Sequence, residues 1–197
     1  MLVFDLECDS LDATKIHCLT TNRAGKITSY TDYGKIAGIL KKSYVTLVAH
    51  NCARYDIPTA ERILDIKVTA RLIDTLAVSW YLYPDRTRHG LEFWGEEFGV
   101  PKPVVEDWED QPIEVYIDRC QEDVKINTKL WEKQLKDLIA LYGNEEDALR
   151  CAYYLIDKMS HAALQEKSRW KLDEDKCEKG LKELQLDKDE KRERLIE

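Results

Sequence analysis

The chain has 197 residues, of which 44% are hydrophobic, and this composition predicts a folded domain rather than a disordered chain. No apolar run reaches the roughly 20 residues that cross a bilayer, and no signal peptide is recognisable, so we expect a cytoplasmic protein without a membrane partner. The net charge of −8 differs from that of proteins that hold nucleic acid mainly by counterion release. The six cysteines show no CxxC spacing and are expected to stay reduced.

The spacing of apolar residues predicts alternating strands and helices up to residue 99 and helices alone beyond residue 112. Strands are predicted at 1–7, 17–20, 26–30, 44–49 and 70–74. Helices are predicted at 34–42, 58–64, 75–83, 91–98, 113–141, 145–168 and 173–197, with a proline- and acid-rich loop at 100–111. Asp74 or Thr75 can cap the helix that ends near residue 83. This order predicts an α/β sheet domain at 1–142 and a helical C-terminal extension at 143–197.

Two carboxylates share one face of the first predicted strand. Side chains alternate along a strand, so Asp5 and Glu7 point to the same side, about 7 Å apart, while Leu6 points into a core. Divalent cations can compensate the repulsion between two such acids. A strand end at which both acids are simply hydrated is the alternative.

Two further acids occupy positions that favour a shared site. Asp56 follows the apolar run at 44–49 and stands where a strand turns into a helix, so it is either a site residue or the N-cap of that helix. Asp123 lies on or beside the apolar stripe of a long helix, where an unpaired acid is unfavourable. A partly exposed helix acid is the alternative for Asp123.

The order of these acids resembles the DEDD superfamily of 3′→5′ exonucleases, which have an RNase H-like (DnaQ-like) fold. The flanking residues look most like the exonuclease domain of phage family A DNA polymerases, from residue 1 to about 135. The matching segments are Phe4-Asp5-Leu6-Glu7, Lys15-Ile16-His17-Cys18, His50-Asn51, Tyr55-Asp56-Ile57-Pro58, Ile73-Asp74-Thr75-Leu76, Leu91-Glu92-Phe93-Trp94-Gly95 and Gln121-Glu122-Asp123-Val124. Residues 161–197 resemble the stretch that links such a domain to its polymerase.

The resemblance implies a site that holds two divalent metal ions, Mg²⁺ or Mn²⁺, because hard cations prefer the oxygen ligands that Asp and Glu supply. It implies that Asp5 bridges both ions and that Glu7 and Asp123 serve the ion that activates water. It implies that Asp56 holds the second ion, largely through water.

The resemblance also points to residues that contact the substrate. Asn51 is expected to contact the terminal nucleotide, and Leu6 and His50 are further candidates within the same motifs. The polar loop that precedes residue 91 is either an ordinary solvated loop or a contact to the DNA backbone, through Arg86, Arg88 and His89.

The chain departs from the family beside Asp123. The family's water-positioning residue is a Tyr four residues before this Asp or a His five residues before it, and here these positions are Arg119 and Asp118. Arginine cannot act as a base near neutral pH, but it can stabilise negative charge on a phosphate. We therefore expect Arg119 to contact the scissile or an adjacent phosphate. Tyr116 either packs in the core or replaces the missing residue if the helix is irregular.

These residues predict a metal-dependent 3′→5′ exonuclease that hydrolyses DNA by two-metal-ion catalysis. The expected partners are single-stranded DNA or the 3′ ends of duplex DNA, and a polymerase domain in the same or another chain. Two alternatives stay open at this point. One is a catalytically weakened module of the same fold that binds nucleic acid or a polymerase, and the other is an RNA exonuclease.

Overall fold

The computed structural model describes residues 1–100, 111–168 and 171–194. The loop predicted at 100–111 therefore lies, from 101 to 110, outside the described residues. The protein divides into two compact units, Met1–Ala163 and Leu164–Glu197. The sheet and the predicted site residues all belong to the first unit.

A mixed five-stranded sheet, in the order β3-β2-β1-β4-β5, forms the centre of the first unit. The strands are β1 (Leu2–Cys8), β2 (Ile16–Arg23), β3 (Lys26–Tyr30), β4 (Leu47–Ala49) and β5 (Leu72–Asp74). The first three pair antiparallel, whereas β4 pairs parallel with both β1 and β5. The carboxyl ends of β1, β4 and β5 therefore meet at one edge of the sheet, where side chains from three strands can converge.

Helices cover both faces of this sheet. In the first unit the helices are α1 (Tyr33–Leu40), α2 (Asp56–Leu64), α3 (Thr75–Leu82), α4 (Leu91–Phe98), α5 (Ile113–Tyr142) and the greater part of α6 (Glu145–Ser168). The second unit contains α7 (Glu174–Arg194). Phe4 and Leu6 of β1 pack in one core with residues of α1 and α2. Val3 of β1 packs in a second core with α3, α5 and the first turns of α6. Asp5 and Glu7 share the face of Val3, so the alternation predicted for β1 directs both acids towards α5.

The second core includes the first turns of α6. Ala148 and Ala152 are fully buried in this core and belong to the first compact unit, Met1–Ala163. The predicted domain boundary after residue 142 stays a prediction. In α7, by contrast, no described side chain is buried, which agrees with its highly charged sequence. No helix within the described ranges is both long and apolar enough to cross a membrane.

Gly95 allows α4 to pack closely against α5. A Cβ atom at this position would lie 2.5 Å from the Val100 carbonyl oxygen and 2.8 Å from Ile126 Cδ1. We expect Gly95→Ala to lower the free energy of unfolding by about 1–3 kcal/mol, the usual cost of overpacking a core. Chemical denaturation measures this change.

Gly38 provides the matched control, because it also lies in a helix but has open space around its Cβ position. Gly38→Ala should leave stability unchanged or raise it by up to about 1 kcal/mol through helix propensity. Equal effects of the two substitutions would contradict the close approach of α4 and α5.

Candidate metal centre

Three carboxylates converge where β1 meets α5. Asp5, Glu7 and Asp123 each offer one ligand oxygen, and these atoms lie within 4.8 Å of one another. Two oxygens on opposite sides of one Mg²⁺ would be about 4.2 Å apart, twice the usual metal–oxygen distance. Glu7 and Asp123 are 8% and 4% exposed, so water screens their mutual repulsion poorly. The donor set and its spacing thus suit a hard divalent cation.

Cys120 fixes the orientation of Asp5. Its thiol lies on α5 and donates hydrogen bonds to the carbonyl oxygen and to Oδ2 of Asp5, at 3.3 and 3.4 Å. Burial raises the pKa of this thiol well above its usual value, so the sulfur keeps its proton and remains a donor. No sequence pattern predicted this role, because Cys120 has the spacing of an ordinary apolar residue in the helix stripe.

Asp56 lines the same cleft, at the first residue of α2. The N-cap of α2 is Tyr55, which makes no side-chain capping bond, so Asp56 is not the cap that the sequence allowed. The pKa of Asp56 is raised to about 7, mainly by burial and also by the nearby charges of Asp74 and Asp123, against hydrogen bonds from backbone amides that lower it. A divalent cation would stabilise the ionised carboxylate in these surroundings.

The cleft brings eight of the predicted site residues together. It has a volume of about 300 Å³. Its lining residues are Asp5, Leu6, Glu7, Leu11, His50, Asn51, Tyr55, Asp56, Leu91, Arg119 and Asp123. A groove of about 660 Å³ beside Arg71 and α6 is larger, but it includes none of the predicted site residues. The chemistry of the smaller cleft therefore makes it the candidate site.

Asp74 holds the segment that carries Asn51 and Asp56. Its carboxylate is fully buried and accepts hydrogen bonds from the backbone amides of Asn51 (2.9 Å), Ala53 (3.2 Å) and Leu76 (2.9 Å). It therefore caps α3, as predicted, and also fixes the loop after β4. Asn51 has a φ of 61°, a left-handed conformation that asparagine tolerates better than most residues.

Thr75 links the same loop to α5. Its hydroxyl donates to Asn127 Oδ1 at 2.6 Å and lies 3.0 Å from His50 Nδ1, and its carbonyl accepts from Gln134 Nε2 at 2.8 Å. Asn127 is one helical turn beyond Asp123. This buried chain of polar contacts therefore sets the position of His50 relative to Asp123.

Arg119 lies beside Glu7 in the same cleft. Its Nε is 3.5 Å from Glu7 Oε1, and the two side chains are only 16% and 10% exposed. Tyr116, the other residue considered for this role, does not line the cleft. It is 1% exposed, stacks on His17 with ring centroids 3.8 Å apart, and its hydroxyl accepts from the Gln111 amide. Tyr116 thus packs in the core.

The basic loop lies outside the lining of the cleft. Arg86 stacks over the Trp94 ring at 3.7 Å and pairs with Glu97 at 2.7 Å. His89 bridges Ser79 Oγ and the Arg86 carbonyl, each at 2.8 Å. Arg86 and His89 thus have structural contacts of their own, and a role of this loop, including Arg88, in DNA binding stays a prediction.

Three lining residues, Leu11, Tyr55 and Leu91, were not predicted as site residues. Leu11 is 93% exposed at the mouth of the cleft, in the polar turn that follows β1. The Tyr55 hydroxyl donates to the Ser10 carbonyl at 2.6 Å and anchors this turn to the start of α2. A single leucine in a polar turn carries no sequence signal that separates it from any other loop residue.

Comparisons with known proteins identify the fold. No protein-family model and no curated protein matches the chain. Among solved structures, Brucella melitensis NrnC bound to pGG is 16% identical, with 87% of this chain and 88% of that chain covered and a TM-score of 0.64. A structure of the same protein with bound Mg²⁺ is 15% identical, with coverages of 87% and 89% and a TM-score of 0.64. The chain has an RNase H-like fold.

Two larger proteins share this fold over part of their length. Escherichia coli RNase D, an exoribonuclease involved in structured RNA processing, is 16% identical, with 81% of this chain and 44% of that chain covered and a TM-score of 0.58. The family B DNA polymerase of Pyrobaculum calidifontis is 16% identical, with 70% and 25% covered and a TM-score of 0.53. Likeness at this level of identity establishes the fold alone. The predicted nearness to phage family A polymerases stays a prediction.

The hydrogen bonds to Asp74 should stabilise the folded state. Asp74→Asn replaces one carboxylate oxygen with an NH₂ group that faces backbone N–H donors, so one buried amide loses its acceptor. We expect a loss of about 1–3 kcal/mol in the free energy of unfolding, measured by chemical denaturation.

The control is Asp65→Asn. Asp65 is an exposed aspartate with a left-handed φ of 48° at the end of α2, where asparagine is equally suitable. This change should stay within about 0.5 kcal/mol. A similarly small effect of Asp74→Asn would show that the site loop does not depend on Asp74.

Proposed function

We propose that the protein is a metal-dependent 3′→5′ exonuclease that hydrolyses DNA from its 3′ ends by two-metal-ion catalysis. The observation that carries this proposal is the group of three carboxylate oxygens within 4.8 Å of one another, in a cleft that also contains Asp56. The RNase H-like fold adds support, since RNase D, of the same fold, is an exoribonuclease.

The carboxylates are the residues that would hold the metal ions, Mg²⁺ or Mn²⁺. Asp5, Glu7 and Asp123 would hold the ion that activates water, and Asp56, with Asp5, would hold the second ion. Two such ions supply a nucleophilic water at neutral pH and stabilise the charge on the leaving 3′-oxygen. Cys120 keeps Asp5 oriented. Thr75 holds the helix of Asp123 next to the loop that carries His50.

The amide of Asn51 is the proposed contact to the terminal nucleotide. Its Oδ1 is buried, and among the described residues it has no hydrogen-bond partner. An unpaired buried acceptor is costly, and a sugar hydroxyl in the cleft would satisfy it. His50 and Leu6 line the cleft beside it and are proposed to contact the same nucleotide, with Arg88 further along the strand.

Arg119 is the proposed contact to the phosphate. A guanidinium has five donors and no acceptor, so it can stabilise charge on phosphate oxygens but cannot take a proton from water. Water activation therefore depends on the metal ions and their carboxylates rather than on a tyrosine. The missing tyrosine is the reason to consider a weakened binding module, and the complete set of four carboxylates favours the enzyme.

An RNA exonuclease is the second candidate, because E. coli RNase D has the same fold. The fold is also present in a DNA polymerase, so the fold does not separate the two substrates. The preference for DNA, a proofreading role beside a phage polymerase domain, and action in the cytoplasm of the host cell rest on the sequence resemblance alone.

A 5′-labelled single strand tests the activity directly. With Mg²⁺ or Mn²⁺ the protein should shorten the strand stepwise from its 3′ end, and EDTA should stop the reaction. Asp5→Asn should lower the rate by at least about 100-fold. Mutation of a residue that only orients a metal ligand already lowers metal affinity or activity by about 10–100-fold, and Asp5 is itself a proposed ligand.

The exposed Asp12, which is not among the cleft residues, supplies the control Asp12→Asn, which should act like the parent protein. EDTA-insensitive cleavage of equal rate in the parent and Asp5→Asn proteins would contradict the enzyme. Degradation of a matched RNA strand in preference to DNA would favour the second candidate.

Arg119→Ala tests the phosphate contact separately. We expect a fall of about 10²–10³-fold in kcat, the range found when one donor to a developing negative charge is removed. The far-ultraviolet circular dichroism spectrum should not change, which verifies the fold. A variant that degrades DNA as fast as the parent protein would show that Arg119 does not contact the reacting phosphate.

A further inference from the structure

The carboxylate cluster contains a positively charged side chain of its own. Arg119 Nε lies 3.5 Å from Glu7 Oε1, and both side chains are largely buried. Among the described residues that line the cleft, Arg119 is the one lysine or arginine, facing four carboxylates. Its guanidinium thus contacts the carboxylate of Glu7, one of the three residues that could hold a divalent ion.

The helical spacing of α5 places Arg119 next to Glu7. Arg119 and Asp123 are four residues apart on α5, so their side chains share one face of the helix, and Arg119 contacts Glu7 of β1 from that face. The arginine and the aspartate therefore approach Glu7 from the same side. Any cation that binds Glu7 and Asp123 together must enter next to the guanidinium.

We propose that Arg119 is a built-in counterion that competes with the divalent ion for Glu7. This inference rests on the proposed function, because it assumes that the carboxylates bind such an ion. When no divalent ion is bound, the guanidinium offsets the repulsion among buried carboxylates. When an ion binds, the like charges weaken the contact between Arg119 and Glu7, and the guanidinium becomes available to a phosphate.

The competition for Glu7 couples the binding of the metal ion to the binding of a phosphate group. A phosphate group that takes the guanidinium away from Glu7 raises the affinity of the carboxylates for metal, and by linkage the metal raises the affinity for the phosphate. Metal and nucleotide should therefore bind with positive coupling, and this coupling should depend on Arg119. The cleft would hold metal weakly until a 3′ end is present.

Mn²⁺ binding without substrate tests the competition without any measurement of activity. Free Mn²⁺ is followed by electron paramagnetic resonance during titration of protein stripped with EDTA and dialysed. Arg119→Gln should bind Mn²⁺ at least about tenfold more tightly than the parent protein, since a charge within about 4–6 Å shifts the affinity of a carboxylate for a proton by factors of about 10–1000. Arg119→Lys, which keeps the charge, should stay close to the parent value.

Arg150→Gln is the matched control, because Arg150 is an exposed arginine that pairs with Asp147 on α6. It should not change the affinity for Mn²⁺. Addition of a nucleoside 5′-monophosphate should tighten Mn²⁺ binding in the parent protein and do so less in Arg119→Gln.

A second measurement covers the case in which Arg119→Gln folds poorly. Without metal its melting temperature should be lower than that of the parent protein, and Glu7→Gln in the same chain should restore it by removing one of the repelling charges. A folded Arg119→Gln protein with equal or weaker Mn²⁺ affinity would overturn the proposal and leave the proposed function intact. If the parent protein shows no Mn²⁺ binding that Asp5→Asn abolishes, the proposed function fails together with this inference.

Discussion

Repulsion among three close carboxylates, two of them buried, is the constraint on which the site depends. Asp5, Glu7 and Asp123 bring oxygens within 4.8 Å of one another, where neighbouring unit charges repel by about 4 kcal/mol at the effective dielectric constant of a protein surface. Such a group persists only because rigid elements hold it and cations compensate it. The pairing of β1 with β2 and β4, and the close packing of α5 on β1, provide that rigidity. Arg119, with the proposed metal ions, provides the charge.

Local patterns in the sequence predicted most of the elements and the core of the site. The alternation of Asp5-Leu6-Glu7 placed two acids on one face of a strand, and the structure has them there, facing α5. The helix at Leu91–Phe98 was predicted with its observed bounds, because a left-handed Gly99 ends it. β4 and β5 are shorter than predicted, since their apolar runs begin before the residues that pair.

What the sequence did not predict are contacts between residues far apart in the chain. Asp74 reads as a helix cap, and its bonds to Asn51 and Ala53 depend on β4 and β5 being neighbours. Cys120 reads as an apolar residue, and its bond to Asp5 depends on the rotation of α5 over β1. Propensity and periodicity describe residues within a few positions of each other, so they contain no information about such partners.

We expect the three clustered carboxylates to bind a divalent metal ion. Anomalous scattering from crystals grown or soaked with Mn²⁺ tests this binding without reference to activity, because the signal locates the ion. An anomalous peak is expected about 2.0–2.3 Å from oxygens of Asp5, Glu7 and Asp123, with a second peak near Asp56 when a nucleotide is bound. Mn²⁺-saturated crystals with no peak at these oxygens, and with the Glu7–Arg119 contact unchanged, would contradict it.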